Sequence, residues 1–171
     1  MEKIGLFFGS DTGCTEAVAE MIQEQIGEDK VELIDAYDIE KADFDRFEKI
    51  IIGLSTWHDG ELVSAWDDFF EDFKEVDFSG KTIAIFGLGD QYGYSTYFID
   101  GVGILGDVVK ENGGKIIGYT STAGFEHDES KAETDDGKFM GLALDEDNQD
   151  ELTEERVTAW VEQIKKEFPI S

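Results

Sequence analysis

Lys3-Ile4-Gly5-Leu6-Phe7-Phe8-Gly9-Ser10-Asp11-Thr12-Gly13-Cys14-Thr15-Glu16 passes from strand to loop to helix without a break. After its first lysine the run from Lys3 to Phe8 carries no polar side chain, as in a strand buried on both faces of a parallel sheet. A helical stripe follows the loop, with Ala17, Val18, Met21, Ile22 and Ile26 along one side. The same alternation continues outward. Lys49–Leu54, Lys81–Gly87 and Lys115–Tyr119 are further continuous runs, and the shorter Val31–Ile34 suits an edge strand. Leu62, Trp66, Phe69, Phe70 and Phe73 make a second helical stripe. Val102, Leu105, Val108 and Val109 make a third, and Val157, Trp160, Val161, Ile164 and Phe168 a fourth. Thr153 with the acids after it reads as a capped helix start, and Pro169 as its stop. The expected order is β-α-β-α-β-α-β-α-β-α. Right-handed crossovers then produce an α/β, doubly wound sheet with helices on both faces.

One stretch breaks the rhythm. Residues 120–138 are polar, acidic and aperiodic before Phe139–Leu144 resumes a strand. This is an excursion inside or beside the last strand, either functional or a tolerated surface insertion. No repeat, linker or second domain is visible, so residues 1–171 are expected to form one domain.

Composition excludes several functions. Among 171 residues, 14 Lys and Arg face 41 Asp and Glu, a net charge of −27. No basic surface exists to meet a nucleic acid, and an anionic membrane would repel the chain. With 40% apolar and 12% aromatic residues it is nevertheless no disordered acidic tail. The longest apolar runs, Ile50–Leu54 and Ile83–Gly89, fall far short of the ~18 residues of a membrane span, so no membrane insertion is expected. The N-terminus enters a strand directly, with no leader pattern. The single cysteine, Cys14, allows no disulfide within the chain. That suits a reducing compartment and a soluble, cytoplasmic protein.

In an open α/β sheet, ligands gather beyond the carboxyl ends of the strands, where strand order reverses. After the first strand, Ser10, Thr12 and Thr15 offer hydroxyls beside a run of backbone N–H groups and a helix N-terminus. This is an anion site, most naturally for phosphate. It is no Walker A loop, because no Lys follows Gly13, and no Lys or Arg occurs between Lys3 and Lys30. Cys14 lacks a base partner, so its backbone N–H matters more than its thiol. After the third long run come Ser55-Thr56-Trp57-His58-Asp59-Gly60-Glu61. Trp57 either stacks on a flat ring or folds back onto the core. After the fourth come Gly87-Leu88-Gly89-Asp90-Gln91-Tyr92-Gly93-Tyr94-Ser95-Thr96-Tyr97. Any of Tyr92, Tyr94 and Tyr97 could form a second aromatic wall, and Asp90 could accept from a ring N–H. Glycines here would let backbone approach a planar ligand. Gly101-Val102-Gly103-Ile104-Leu105-Gly106 matches G-x-G-x-x-G but lies on a helical stripe, where close packing explains it better. His58 and His127 have no metal-ligand spacing.

Taken together, these motifs resemble the flavodoxins, specifically the long-chain kind, from Lys3 to about Phe168. Ser10 to Thr15 is similar to the family's phosphate loop. Ser55-Thr56-Trp57 with Gly60-Glu61-Leu62 is similar to its first flavin loop, and Gly87 to Gln91 with Tyr94 to its second. The insertion before Phe139 is similar to the one that defines the long-chain group, and Gly141 to Gln149 to a segment before the last helix. The resemblance implies a flavodoxin-like fold, a five-stranded parallel sheet in the order 2-1-3-4-5, and a tightly bound FMN. It implies that Ser10, Thr12 and Thr15 hold the phosphate with the N–H groups of Asp11, Gly13 and Cys14. Trp57 and Tyr94 would sandwich the isoalloxazine, Asp90 would hold its pyrimidine edge, and Asp145 or Asp147 would meet the ribityl chain. His58 stands where the family usually carries Gly or Asn, and a non-Gly residue pays more for unusual φ. Leu88 stands where a small polar residue is common.

The implied function is low-potential one-electron transfer rather than turnover of a substrate. Negative charge added to a ring near carboxylates costs Coulomb energy, which separates the two reduction steps. Implied partners are basic redox proteins: ferredoxin–NADP reductase, photosystem I in a phototroph, or other ferredoxin-dependent oxidoreductases. A monomer is expected. An FMN-dependent NAD(P)H:quinone reductase is the alternative, but Trp57 and Tyr94 on both ring faces would obstruct hydride transfer. A phospho-receiver is set aside because its acid pair and lysine are missing at the strand ends.

Overall fold

In the computed structural model, β1 (Ile4–Phe8) runs between β2 (Val31–Asp35) and β3 (Lys49–Trp57), parallel to both. The structure describes residues 3–9, 14–57, 61–62, 64–90, 92, 98–123, 125, 127, 130–134, 136–145 and 148–168. A short β4 (Glu61–Leu62) pairs back antiparallel on β3, and β5 (Thr82–Leu88) and β6 (Lys115–Ile117) extend the parallel sheet. The order is β2-β1-β3-β5-β6. Counting the five long runs alone, this is the expected 2-1-3-4-5, with Val31–Asp35 on the edge.

The continuous apolar runs have a simple cause. Successive strand residues alternate between two cores, so both parities must be apolar. Phe7, Ile50, Ile52, Ile83 and Ile85 face one core with α2 (Ser64–Phe73) and α3 (Asp100–Glu111). Leu6, Phe8, Ile51, Ala84 and Phe86 face the other, with α1 (Cys14–Ile26) and α4 (Thr153–Glu167).

Three details differ from the sequence expectation. Between β2 and β3 stand two 3-10 turns, Ala36–Asp38 and Lys41–Arg46, in place of a fifth α-helix. Asp35 accepts from Tyr37 N–H at 2.9 Å, and Glu40 and Asp43 form a capping box. These local bonds compete with helix propagation. The segment is instead held by Phe44, whose ring stacks on Phe7 at 4.3 Å. Second, Leu62 belongs to β4 rather than to the helical stripe that follows it. Third, Thr153 is not a side-chain cap: a 3-10 turn, Asp150–Leu152, leads into α4, and Thr153 is buried in the first turn. At the other end Phe168 is extended (φ −67, ψ 135), as expected before Pro169.

The acidic excursion splits the last strand in two. β6 pairs with Thr82–Ala84, and the chain then turns away at Gly118, whose φ of +80° suits only glycine. Trp160 Nε1 donates to Gly118 O at 2.8 Å, and Gly118 N–H donates to Glu167 at 2.9 Å. β7 (Thr120–Ser121) pairs antiparallel with β8 (Lys138–Phe139). β9 (Leu142–Leu144) then rejoins the sheet beside Phe86–Leu88. Phe98, Phe125, His127 and Phe139 cluster beneath the excursion, with ring centroids 5.1–5.7 Å apart. Asp100, buried at the start of α3, accepts from Lys131 N–H at 2.8 Å.

Candidate functional site

Strand order reverses between β1 and β3, so the crevice beyond their carboxyl ends is where a ligand belongs, a rule of which flavodoxins are a standard example. One carbonyl organises that point. Gly53 O accepts from Gly9 N–H at 3.0 Å and from Trp66 Nε1 at 2.9 Å. The end of β1, the middle of β3 and the first turn of α2 are thereby tied together. α1 begins at Cys14, directly after the loop that leaves β1, and Thr15 is wholly buried in its first turn. The first amides of a helix lack partners within the helix, and with its dipole they suit an anion. Ser10, Asp11, Thr12 and Gly13 lie outside the described residues, as does the side chain of Cys14.

Ser55, Thr56 and Trp57 extend β3 beyond its partner β1. The pairs Thr56–Leu62 and Trp57–Glu61 fix their backbone. His58, Gly60, Tyr94, Tyr97 and Asp147 lie outside the described residues, as do the side chains of Ser55, Thr56 and Trp57.

The end of β5 is described more fully, and it gives its glycines a packing role that the sequence does not show. A Cβ on Gly87 would stand 2.4 Å from Val102 Cγ2, and one on Gly89 would stand 3.1 Å from Ile99 N. Both glycines therefore admit α3 and its entry close to β5. Leu88 packs into the core beside α1 and α4, with its backbone between Ser55 of β3 and Leu144 in the sheet. Ile99, at the entry to α3, is fully buried with φ +46°, a left-handed conformation that strongly disfavours a β-branched residue. Nothing in the sequence signals that strain. In the G-x-G-x-x-G run, a Cβ on Gly103 would meet the Lys131 backbone at 2.3 Å. Gly103 thus seats the helix against the excursion, and Gly106 lets it approach Ile116 and Met140.

Asp90 and Asp145 come together through a residue to which the sequence assigns no role. Asn148 Nδ2 donates to Asp90 Oδ1 at 2.8 Å and to Asp145 Oδ1 and Oδ2 at 3.1 and 2.9 Å. Asp90 also accepts from Tyr92 N–H at 3.0 Å, closing its own turn. Asp145 is wholly buried. Burial holds the Arg156 guanidinium below its ordinary value, while the charges of Asp145, Glu151 and Glu155 push it the other way. Arg156 thus supplies positive field to a buried carboxylate. Among the described residues no cluster of His, Cys, Asp or Glu could hold a metal ion, and no helix is long and apolar enough to cross a membrane.

A family model for flavodoxins matches residues 6–160. The chain belongs to the flavodoxins. This flavodoxin is 53% identical over 169 residues to the flavodoxin of a Picosynechococcus species, covering 98% of this chain and 99% of that one. It is 47% identical over 164 residues to flavodoxin 1 of Escherichia coli, covering 96% and 93%. Its backbone matches that of the Fusobacterium nucleatum flavodoxin bound to flavin mononucleotide with a TM-score of 0.92 at 36% identity, covering 98% and 99% of the two chains.

Proposed function

We propose that this flavodoxin binds FMN at the carboxyl ends of β1, β3 and β5 and carries single electrons between protein partners, with no substrate of its own. The observation that supports this best is the match of its backbone to an FMN-bound relative, with a helix N-terminus placed at the switch point. The residues fit the group. The α1 amides, with Ser10, Thr12 and Thr15, are neutral donors for a phosphate, and the nearest cationic side chains in sequence, Lys3 and Lys30, belong to neither loop nor helix. Ser55, Thr56, Trp57, His58 and Gly60 would line one side of the ring. Gly87, Leu88, Gly89, Asp90, Tyr94 and Tyr97 would line the other, with Asp145 toward the ribityl chain. Bound FMN supplies the one-electron chemistry. The protein orients the ring and surrounds it with negative charge, which raises the cost of the second electron.

Titration of the flavin-free chain with FMN tests the reading. One equivalent should bind with quenching of flavin fluorescence, and stepwise reduction should resolve two one-electron steps. A chain that binds no FMN overturns it. At free FMN 100 times Kd, binding should add about 2.7 kcal/mol to unfolding stability, visible as a higher urea midpoint than that of the stripped protein.

The net charge of −27 bears on partners. Such a field steers the molecule toward basic docking surfaces, of which ferredoxin–NADP reductase and photosystem I are the candidates. Stopped-flow rates of reduction by a purified reductase should fall steeply as salt rises from about 20 to 300 mM, where screening shortens the field's reach. A rate independent of salt would remove charge from the docking account.

A further inference from the structure

We propose that Asn148 is a positioning residue for the flavin: its side-chain amide ties Asp90 to Asp145 and so fixes the turn on the ring's side of β5. The inference rests on the FMN reading above. Asn148 lies on the exposed turn after β9, far in sequence from Asp90. Its Nδ2 carries two hydrogens, and both are used. One serves Asp90 Oδ1 at 2.8 Å, and the other serves the Asp145 carboxylate at 2.9–3.1 Å. The Asn148 backbone N–H adds a bond to Asp145 Oδ1 at 3.0 Å, so the amide is itself held in place. A parallel backbone tie, Gly89 N–H to Leu144 O at 3.0 Å, joins the same two segments one step inward. Beyond the ladder of β5 with β9, the two segments are thus fastened by this backbone bond and by Asn148.

The chemistry gives the amide a second consequence. Two carboxylates share one nitrogen, and its positive hydrogens offset their repulsion. Without the amide, Asp145 keeps the Asn148 backbone N–H and the field of Arg156. Asp90, the more exposed carboxylate, loses its tie to the end of β9 and keeps the bond from Tyr92 N–H. Repulsion then drives Asp90 outward, away from the ring. The turn loosens, and negative charge leaves the flavin's surroundings.

Asn148→Ala and Asn148→Asp in the whole chain test this. The readouts are Kd for FMN and for riboflavin, both midpoint potentials, and the urea midpoint of the flavin-free chain. Asn148→Ala should weaken FMN and riboflavin alike by about tenfold, the worth of one charge-assisted hydrogen bond. It should also favour the second electron by about threefold, a rise of about 28 mV at 59 mV per tenfold. Asn148→Asp puts an acceptor where a donor stood and should bind both flavins more weakly than Asn148→Ala. Unchanged affinities and midpoints in Asn148→Ala overturn the proposal, whatever happens to flavin-free stability, because they leave Asn148 a purely structural role. A wild-type chain that binds neither flavin overturns the FMN reading instead.

Discussion

Gly141→Ala is expected to cost about 4 kcal/mol or more, the upper end of what a misplaced methyl group does in a packed interior. The added Cβ would lie 2.0 Å from Ile85 O and 2.9 Å from Ile85 C. Ile85 lies in the middle of β5, a strand buried along its whole length, and cannot retreat. Gly141 cannot retreat either. Thr120 Oγ1 donates to its carbonyl at 2.6 Å, and Met140 N–H donates to Ala132 O at 2.8 Å just before it. Relief therefore requires β9 to lift from β5, breaking the pairing of Phe86–Leu88 with Leu142–Leu144 and the Gly89–Leu144 tie. Gly80→Ala is the matched control. Its φ of +78° is unfavourable, but nothing stands within 4 Å, so it should cost only about 1–2 kcal/mol. Urea unfolding of both variants decides. Equal costs would mean that β9 does not seat against β5 as described.

That position also marks a boundary of what was legible in the sequence. The five long strands and four helices could be read because each buried face imposes its period on a single stretch of chain. Phe7 and Leu6 serve opposite cores, and the run Ile50-Ile51-Ile52 records both demands at once. Phe139–Leu144 reads as one strand for the same reason, but the structure divides it between β8 and β9, whose neighbours could not be read. The pairing of β9 with Phe86–Leu88 depends on where a remote excursion returns, and no local period encodes that. The turns at residues 36–46 were missed because capping bonds by Asp35 and Asp43 outweigh weak helical spacing. At the site, loop motifs marked the strand ends, whereas the partners that hold those ends were invisible. Asn148 is an unremarkable surface residue until the fold brings Asp90 to it. The same holds for the room that Gly87 and Gly89 make for Val102 and Ile99.

Trp66 is the clearest case of a stripe residue with a second task, and Trp66→Ala is expected to cost about 4 kcal/mol, within the range for deleting a buried indole. Its ring is fully buried and meets Phe73 and Phe69 edge-on at 5.7 and 6.3 Å. Truncation leaves a cavity that rigid neighbours in β3 and α2 cannot fill. Its Nε1–H separately supplies one of the two bonds to Gly53 O. Trp66→Phe isolates that bond: most of the packing survives, Gly53 O keeps Gly9 N–H, and the cost should be about 1–1.5 kcal/mol. The two variants should differ more in stability than in FMN binding. Both release α2 from the carbonyl that joins β1 to β3 at the switch point, so both should weaken FMN, by about three- to tenfold on the same hydrogen-bond scale. Calorimetry of the flavin-free chains and FMN titration of each variant check the two halves separately. If Trp66→Phe binds FMN like the wild type, the indole N–H serves packing alone, and the crevice is held by the Gly9–Gly53 bond without help from α2.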